Sequence, residues 1–533
     1  MVLGWDTGLI GGILRTASFK RSFGLEPNVD QSSHYISQKQ GNIVSVLNAG
    51  CMAGGFGGFY FPARFGHRKV IAVGSLLLQT GAIIQTFCHP HEFGITPATI
   101  TAESQDRAVR QLMVGRFISG MGIGLCASAL VPYHNEVAPS AIRGRLHVLG
   151  ALNAVIGIAL SFWVNYGVQR DGYDAHDTRV WRIPFGLQTL PGAVFMLAIV
   201  FIPNSPRWLI EKRGDEKAAR RSLAKVYNGD PHDPRINETI AEIHASIRHM
   251  NHDFGKMARD VSTSSDGTLT DVAPRASHRV KWRLVFKDRK TVFRLFLGGF
   301  MMMIQQWTGT NALNYYSPQI FSSLGLGNVE LLATGVYGIV KVCGAIFLLL
   351  VGIEGLGRKW CNIIGSVGQV TAMYWIGIYL RIHPSVEGKS TTISAAGWMT
   401  VIMVYLFAFF FGIGWASVAS AFSSELAPCN AELRSVSWAF ATIIQWLFTT
   451  VISKIVPLML QDLKYGTFLF FGTMTALGCL FVVFCLPETQ GVPLERIDAL
   501  FEGSTRDIVR RSLLTISPSG RRRVHAELAT GAL

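Results

Sequence analysis

The chain has 533 residues, of which 49% are hydrophobic and only 16% charged, and its mean hydropathy is +0.31. A soluble protein carries roughly 25% charged residues, so this composition excludes an ordinary water-soluble domain. The net charge of +15 would suit a nucleic-acid binder, but the basic residues gather in alternate loops and in the tail, which argues against that partner.

Apolar runs occur at 1–14, 41–61, 70–88, 108–131, 147–167 and 183–202, and again at 292–312, 330–352, 360–380, 398–420, 436–458 and 467–486. Crossing a bilayer takes about 20 helical residues, and each run is that long or nearly so. Twelve crossings are therefore expected. The first is short: roughly 21 Å of helix against a hydrocarbon core of about 30 Å. It reads as a helix 1 that lacks its cytoplasmic half, as a truncated gene product would. Glycines inside the runs, such as Gly54, Gly55, Gly57 and Gly58, permit close helix approach in lipid. The basic stretches 62–69, 143–145, 203–291, 354–359 and 496–523 mark the cytoplasmic side and put both termini there. Met1 leads directly into an apolar run, so no cleavable signal is expected. Cys51, Cys126, Cys343, Cys479 and Cys485 lie in or beside the runs without metal-like spacing and read as packing residues.

Four regions follow. Residues 1–202 form an N-terminal transmembrane bundle, and 203–291 a cytoplasmic helical loop and linker. Residues 292–486 form a C-terminal transmembrane bundle, and 487–533 a cytoplasmic tail. In the loop, Ile240, Ile243 and Ile247 share one helix face, and 261–267 reads as flexible linker. The tail beyond about residue 500 reads as largely disordered, with Arg521-Arg522-Arg523 either solvated or against anionic lipid.

Short polar motifs occur twice, in the same order, about 290 residues apart. Arg64-Phe65-Gly66-His67-Arg68 returns as Gly355-Leu356-Gly357-Arg358-Lys359. Glu136-Val137-Ala138-Pro139 with Arg143 returns as Glu425-Leu426-Ala427-Pro428 with Arg434. Pro203-Asn204-Ser205-Pro206 is echoed by Pro487-Glu488-Thr489. This is the sequence form of a parallel internal repeat, as in two-half secondary transporters. Arg64, Arg68, Glu136, Arg143, Arg358, Glu425 and Arg434 are candidates for a cytoplasmic latch that opens when the site faces inward. The alternative is topogenic charge alone.

With these motifs, the chain resembles the sugar porter branch of the major facilitator superfamily. The matching stretches are Gly4-Trp5-Asp6-Thr7-Gly8, Gly115-Arg116 with Gly120, Gly122 and Gly124, Glu136 to Gly144, and Pro203 to Leu209. Gln305-Gln306-Trp307-Thr308-Gly309-Thr310-Asn311 with Tyr315-Tyr316, and Pro487-Glu488-Thr489, complete the set. Within the branch, Val164-Asn165-Tyr166-Gly167, Asn311 to Pro318 and Thr334 to Lys341 are most similar to fungal quinate and hexose permeases. The resemblance implies an all-α membrane protein with twelve transmembrane helices in two six-helix bundles, the major facilitator fold. It implies a transporter of a monosaccharide or related polyol acid working by alternating access with proton symport, in the plasma membrane. Its partners would be the small substrate, protons and the bilayer, with no cofactor. A facilitative uniporter and a non-transporting nutrient sensor on the same fold are the alternatives. An enzyme reading has no nucleophile–base set or phosphate loop behind it.

Asp6, Arg116 and Lys341 lie inside apolar runs, where an unpaired charge costs several kcal/mol. Asp6 and Arg116 match family positions where a helix 1 carboxylate pairs with a helix 4 guanidinium. They are a proton-coupling pair or a static ion pair. Gln305, Gln306, Asn311 and Asn314 can each donate and accept, which suits vicinal hydroxyls; interhelical bonding is the alternative. Tyr315, Tyr316 and Trp446 could cover a sugar ring or simply pack. The family's usual Gln, Trp and Asn are absent at Ala151, Ser420 and Thr449, and Lys341 replaces an Asn. Glucose specificity therefore does not carry over. Lys341 either offers its charge to a substrate carboxylate or pairs within the bundle.

Overall fold

The computed structural model describes residues 1–26, 32–88, 102–138, 143–170, 177–245, 247–248, 289–323, 329–384, 394–426, 431–490, 492, 500–501 and 505–530. Side chains at 143–144, 289–291, 323, 353–354, 431–435, 505, 525 and 528–530 lie outside the description. The linker expected at 261–267 and the side chains of Arg143 and Arg434 therefore fall outside the described residues.

Twelve helical elements follow the apolar runs. In the first half they are α1 (Val2–Ile13), α2 (Ser33–Gly57), α3 (His67–Thr86), α4 (Ala102–Val137), α5 (Arg143–Arg170) and α6 (Arg179–Leu187 with Thr189–Phe201). In the second they are α7 (Arg289–Trp307 with Thr310–Ser323), α8 (Glu330–Phe347), α9 (Arg358–Ile382), α10 (Ala395–Ile413 with Trp415–Glu425), α11 (Ala431–Asp462) and α12 (Gly466–Cys485). Among the described residues, nine are long and apolar enough to cross a membrane unaided. The other three depart for separate reasons. α1 has only 12 residues. α7 is cut into pieces of 19 and 14 residues around Gly309. α2 buries polar residues, Ser45 and Asn48, instead of showing them to lipid.

Small residues set the packing. In α4, Gly120 and Gly124 lie against the backbone of α2 at Leu47 and Cys51, where any Cβ would collide with a carbonyl. That lets the α2 and α4 backbones touch, the close approach that substitutes for a hydrophobic drive in lipid. The halves meet where α2 packs on α11 and α5 on α8. Leu190, Val194, Leu197 and Phe201 of α6 are exposed, as a lipid-facing surface requires.

The tail departs from the expected disorder. Helices Thr505–Leu514 and Pro518–Thr530 dock on the ends of α9 and α12. The buried Lys359 ammonium donates to Val483 O (2.9 Å), Ser512 O (2.6 Å) and Ser512 Oγ (2.7 Å), and Trp360 Nε1 donates to Ile516 O at 3.0 Å. Low hydropathy suggested a solvated tail. Its order comes instead from satisfying a buried cation and a half-buried indole, which would otherwise lose these hydrogen bonds, and from burying Ile508 and Val524.

Candidate substrate site and coupling pair

The centre of the molecule is built on two broken helices. α7 breaks at Gly309, whose φ of +85° favours glycine, and α10 breaks at Gly414. Gln305 ties the breaks together by donating to Trp415 O at 2.6 Å. From there an amide chain runs inward. Gln306 Nε2 donates to Gln305 Oε1 (3.0 Å), and Gln306 Oε1 accepts from Asn311 Nδ2 (2.7 Å) and Thr449 Oγ1 (3.0 Å). Gln305 thus holds backbone, while Gln306 and Asn311 bond to side chains.

Lys341 sits beside this chain and is 1% exposed. Its ammonium donates to Asn314 Oδ1 (2.8 Å) and Thr310 Oγ1 (3.2 Å), and Tyr337 OH donates to the same Asn314 oxygen at 3.4 Å. The Phe411 ring lies 4.6 Å from the ammonium and the Tyr337 ring 5.9 Å. Among the described residues no carboxylate is within salt-bridge distance of Lys341. Trp446 packs with Leu47, Cys51, Leu78 and Ile123 from the other half, and its buried indole N–H has no hydrogen-bond partner. Tyr315 OH exchanges hydrogen bonds with Asn48 at 3.4–3.5 Å, and Tyr316 OH donates to Ser453 O at 3.3 Å. These two tyrosines also line a cavity of about 240 Å³ that opens beside Arg15, Lys20 and Gln319.

Asp6 and Arg116 are brought together with no exposure on either side chain, Nη1 to Oδ1 being 3.2 Å. Gln188 Nε2 donates to the other carboxylate oxygen at 3.2 Å. Arg116 Nε and Nη2 have no partner, so the guanidinium is only partly satisfied.

The repeated motifs, candidates for a latch in each half, form two polar clusters of one design. In the second half, Arg358 donates to Glu425, and Thr489 Oγ1 donates to the same carboxylate at 3.0 Å. Lys359 reaches Val483 O at the end of α12. In the first half, Ser205 Oγ donates to Glu136 at 2.5 Å, and Arg68 reaches Val200 O at the end of α6 (2.7 Å). The residue beside Glu136 is His67, at 3.5 Å. Arg64 turns away onto the Tyr60 and Phe65 rings. The halves touch at both ends. At the end that carries these clusters, His147 Nε2 and Ser420 Oγ are 2.8 Å apart, and Trp438 Nε1 donates to Ala127 O. Arg15 pairs with Glu330 at 3.0 Å at the opposite end.

The residues that sequence reading did not single out are Asn48, Thr310, Tyr337, Gln188 and His67. Periodicity marks the first four only as polar or aromatic positions in apolar runs, and His67 lies in the basic stretch between two runs. The spacing of His67 from Gly66, matching that of Arg358 from Gly357, was the one available signal.

The profile of the family described as Sugar (and other) transporter matches residues 1–501. The chain belongs to this family. A quinate permease of Neurospora terricola is 31% identical over 507 residues, covering 94% of this chain and 86% of that one. The MFS-type transporter qa-x of Neurospora crassa is 30% identical over 507 residues with the same coverage. Among solved structures, the proton:xylose symporter XylE bound to 6-bromo-6-deoxy-D-glucose superposes with a TM-score of 0.73 at 24% identity, covering 94% and 96% of the two chains. Inward-open XylE from E. coli gives 0.69, also at 24% identity, covering 94% and 97%. That likeness establishes the major facilitator fold, twelve helices in two bundles. This sugar-transporter family member is a multi-pass membrane transporter, and its relatives are transporters rather than enzymes.

Proposed function

We propose that this transporter carries a polyol carboxylate of the quinate class by alternating access, coupled to protons, across the plasma membrane. The observation that carries the reading is Lys341, a cation buried in the central site with only neutral oxygens and rings around it. A buried ammonium without an anion is expensive. A substrate carboxylate would supply the missing charge by displacing Thr310 and Asn314, while a neutral hexose would not. The hydroxyls would then be read by Gln306, Asn311 and Asn314, with the Trp446 indole N–H as a further donor. Tyr315 and Tyr316 line the cavity beside Arg15, in keeping with a role at the edge of the site. The quinate permeases among the relatives point to the same substrate class.

Proton coupling is assigned to Asp6 and Arg116. A proton on Asp6 removes its attraction for Arg116, whose remaining donors lack partners, so the pair can favour different arrangements of the first half in its two protonation states. In the proposed layout, the latches and the tail face the cytoplasm, consistent with the basic loops. The test is uptake of radiolabelled quinate, galacturonate and glucose in cells, with and without a protonophore. Saturable uptake of a carboxylate that collapses with the protonophore is expected. A carrier of hexoses alone, indifferent to the protonophore, would refute the substrate and coupling assignments together.

A further inference from the structure

The two latches are built alike from backbone upward. Each begins at a glycine of nearly the same conformation, Gly66 with φ +85° and ψ 150° and Gly357 with φ +90° and ψ 160°. Each places a glutamate from the end of a neighbouring helix, Glu136 or Glu425, against the first residue after that glycine. Each gives the glutamate a hydroxyl donor, Ser205 or Thr489. They differ in the cation and in a second acid. The second half has Arg358, a permanent cation that donates to Glu425. Glu488 there also accepts the backbone N–H groups of Arg358, Lys359, Thr489 and Gln490 at 3.0–3.2 Å. The first half has His67 in place of Arg358 and Asn204 in place of Glu488. The His67 side chain is 6% exposed, its Nδ1 is 3.5 Å from Glu136, and that nitrogen has no hydrogen-bond partner.

We infer that His67 is a regulatory proton site, distinct from Asp6 and Arg116, through which protons on the latch side close the first-half latch. An imidazole gains or loses its proton across the physiological range, whereas a guanidinium stays charged. Neutral His67 offers Glu136 little. Protonated His67 adds a charge-assisted hydrogen bond to a carboxylate already held by Ser205. The sign follows: protonation adds the contact that fixes Glu136 at the end of α4, whose Ala127 O meets Trp438 of the other half, so the latch tightens as pH falls and loosens as pH rises.

The surrounding charged and titratable groups leave this pairing open. On its own turn and helix these are Arg64, spent on aromatic faces, Arg68, donating to Val200 O, and the exposed Lys69. From α4 they are Glu136, Tyr133, whose ring is 6.3 Å away, and His134 beyond it. From the segment after α6, Arg207 and Glu211 face each other at 3.8 Å. Glu136 is the acid against His67. With the latch on the cytoplasmic side, as in the layout proposed above, the device brakes proton-driven uptake when the cytoplasm acidifies.

The test reads conformation without substrate, so its failure is separate from failure of the polyol-acid assignment. Spin labels are placed on Lys217→Cys and Gly355→Cys, exposed positions in the two halves, in a cysteine-depleted full chain in nanodiscs. Distance distributions are recorded at about pH 8 and about pH 6. The closed-to-open ratio of the otherwise unmodified protein should rise about two- to fivefold on acidification, the scale of one partly exposed ion pair. His67→Gln should abolish that rise, and His67→Arg should give the acid distribution at both values. An unchanged ratio in the parent, or the same rise in His67→Gln, overturns the proposal.

Discussion

In the membrane-spanning core, the first half of the transporter buries a cation and an anion together, and the second half buries Lys341 with no anion beside it among the described residues. Asp6 and Arg116 neutralise each other with Gln188 as an accessory donor. Lys341 is equally buried but has only Asn314, Thr310 and two aromatic rings. Burying any of these ions costs several kcal/mol, yet the two halves meet the cost differently. One site is balanced in charge within the chain, as the proposed coupling role requires. The other has only neutral partners among the described residues, as the proposed recognition of a carboxylate requires.

The contrast should appear first in stability. Arg116→Leu strands Asp6 without its counter-ion and should destabilise the protein by about 3–5 kcal/mol, read as a large fall in thermal unfolding temperature in detergent. Adding Asp6→Asn should recover most of it. Lys341→Met should have the opposite sign, leaving thermal stability unchanged or raised, because a lone buried ammonium is exchanged for an apolar chain of similar length. A fall as deep as that of Arg116→Leu would break the comparison, since it would mean Lys341 already has an internal anion.

Coupling should separate the sites next. Asp6→Asn should abolish accumulation driven by an imposed pH gradient while counterflow exchange of labelled quinate continues. Accumulation that still follows the gradient would make the ion pair structural. The smallest effect is expected at Gln306, whose Oε1 accepts from Asn311 and Thr449. Gln306→Ala removes hydrogen bonds of about 0.5–1.5 kcal/mol each and should raise the half-saturation concentration about threefold to tenfold at constant surface expression.

Much of this was legible in the sequence, for identifiable reasons. Twelve crossings and the two-half repeat follow from apolar length and from Gly66 and Gly357 recurring ahead of the same Glu and Pro motifs in the same order. Asp6, Arg116 and Lys341 stand out because charge is rare in such runs. Legibility failed where a contact depends on distant chain. Nothing local in Arg510-Arg511-Ser512 shows that Ser512 will satisfy Lys359. The Gln305 amide reads like its neighbour Gln306, and only the fold reveals that Trp415 O claims it. His67 was overlooked for Arg64 and Arg68 because charge drew the reading, whereas position after the glycine decides which side chain meets Glu136.

The most direct measurement of the central claim is paired uptake of quinate and glucose by the natural protein and Lys341→Asn, at matched surface expression. A hydrogen bond to a charged partner contributes about 1.5–3 kcal/mol, so quinate transport efficiency should fall about tenfold or more, with the ratio of glucose to quinate rising accordingly. Equal losses for both substrates, or a natural protein that carries glucose and not quinate, would contradict a carboxylate-reading role for Lys341.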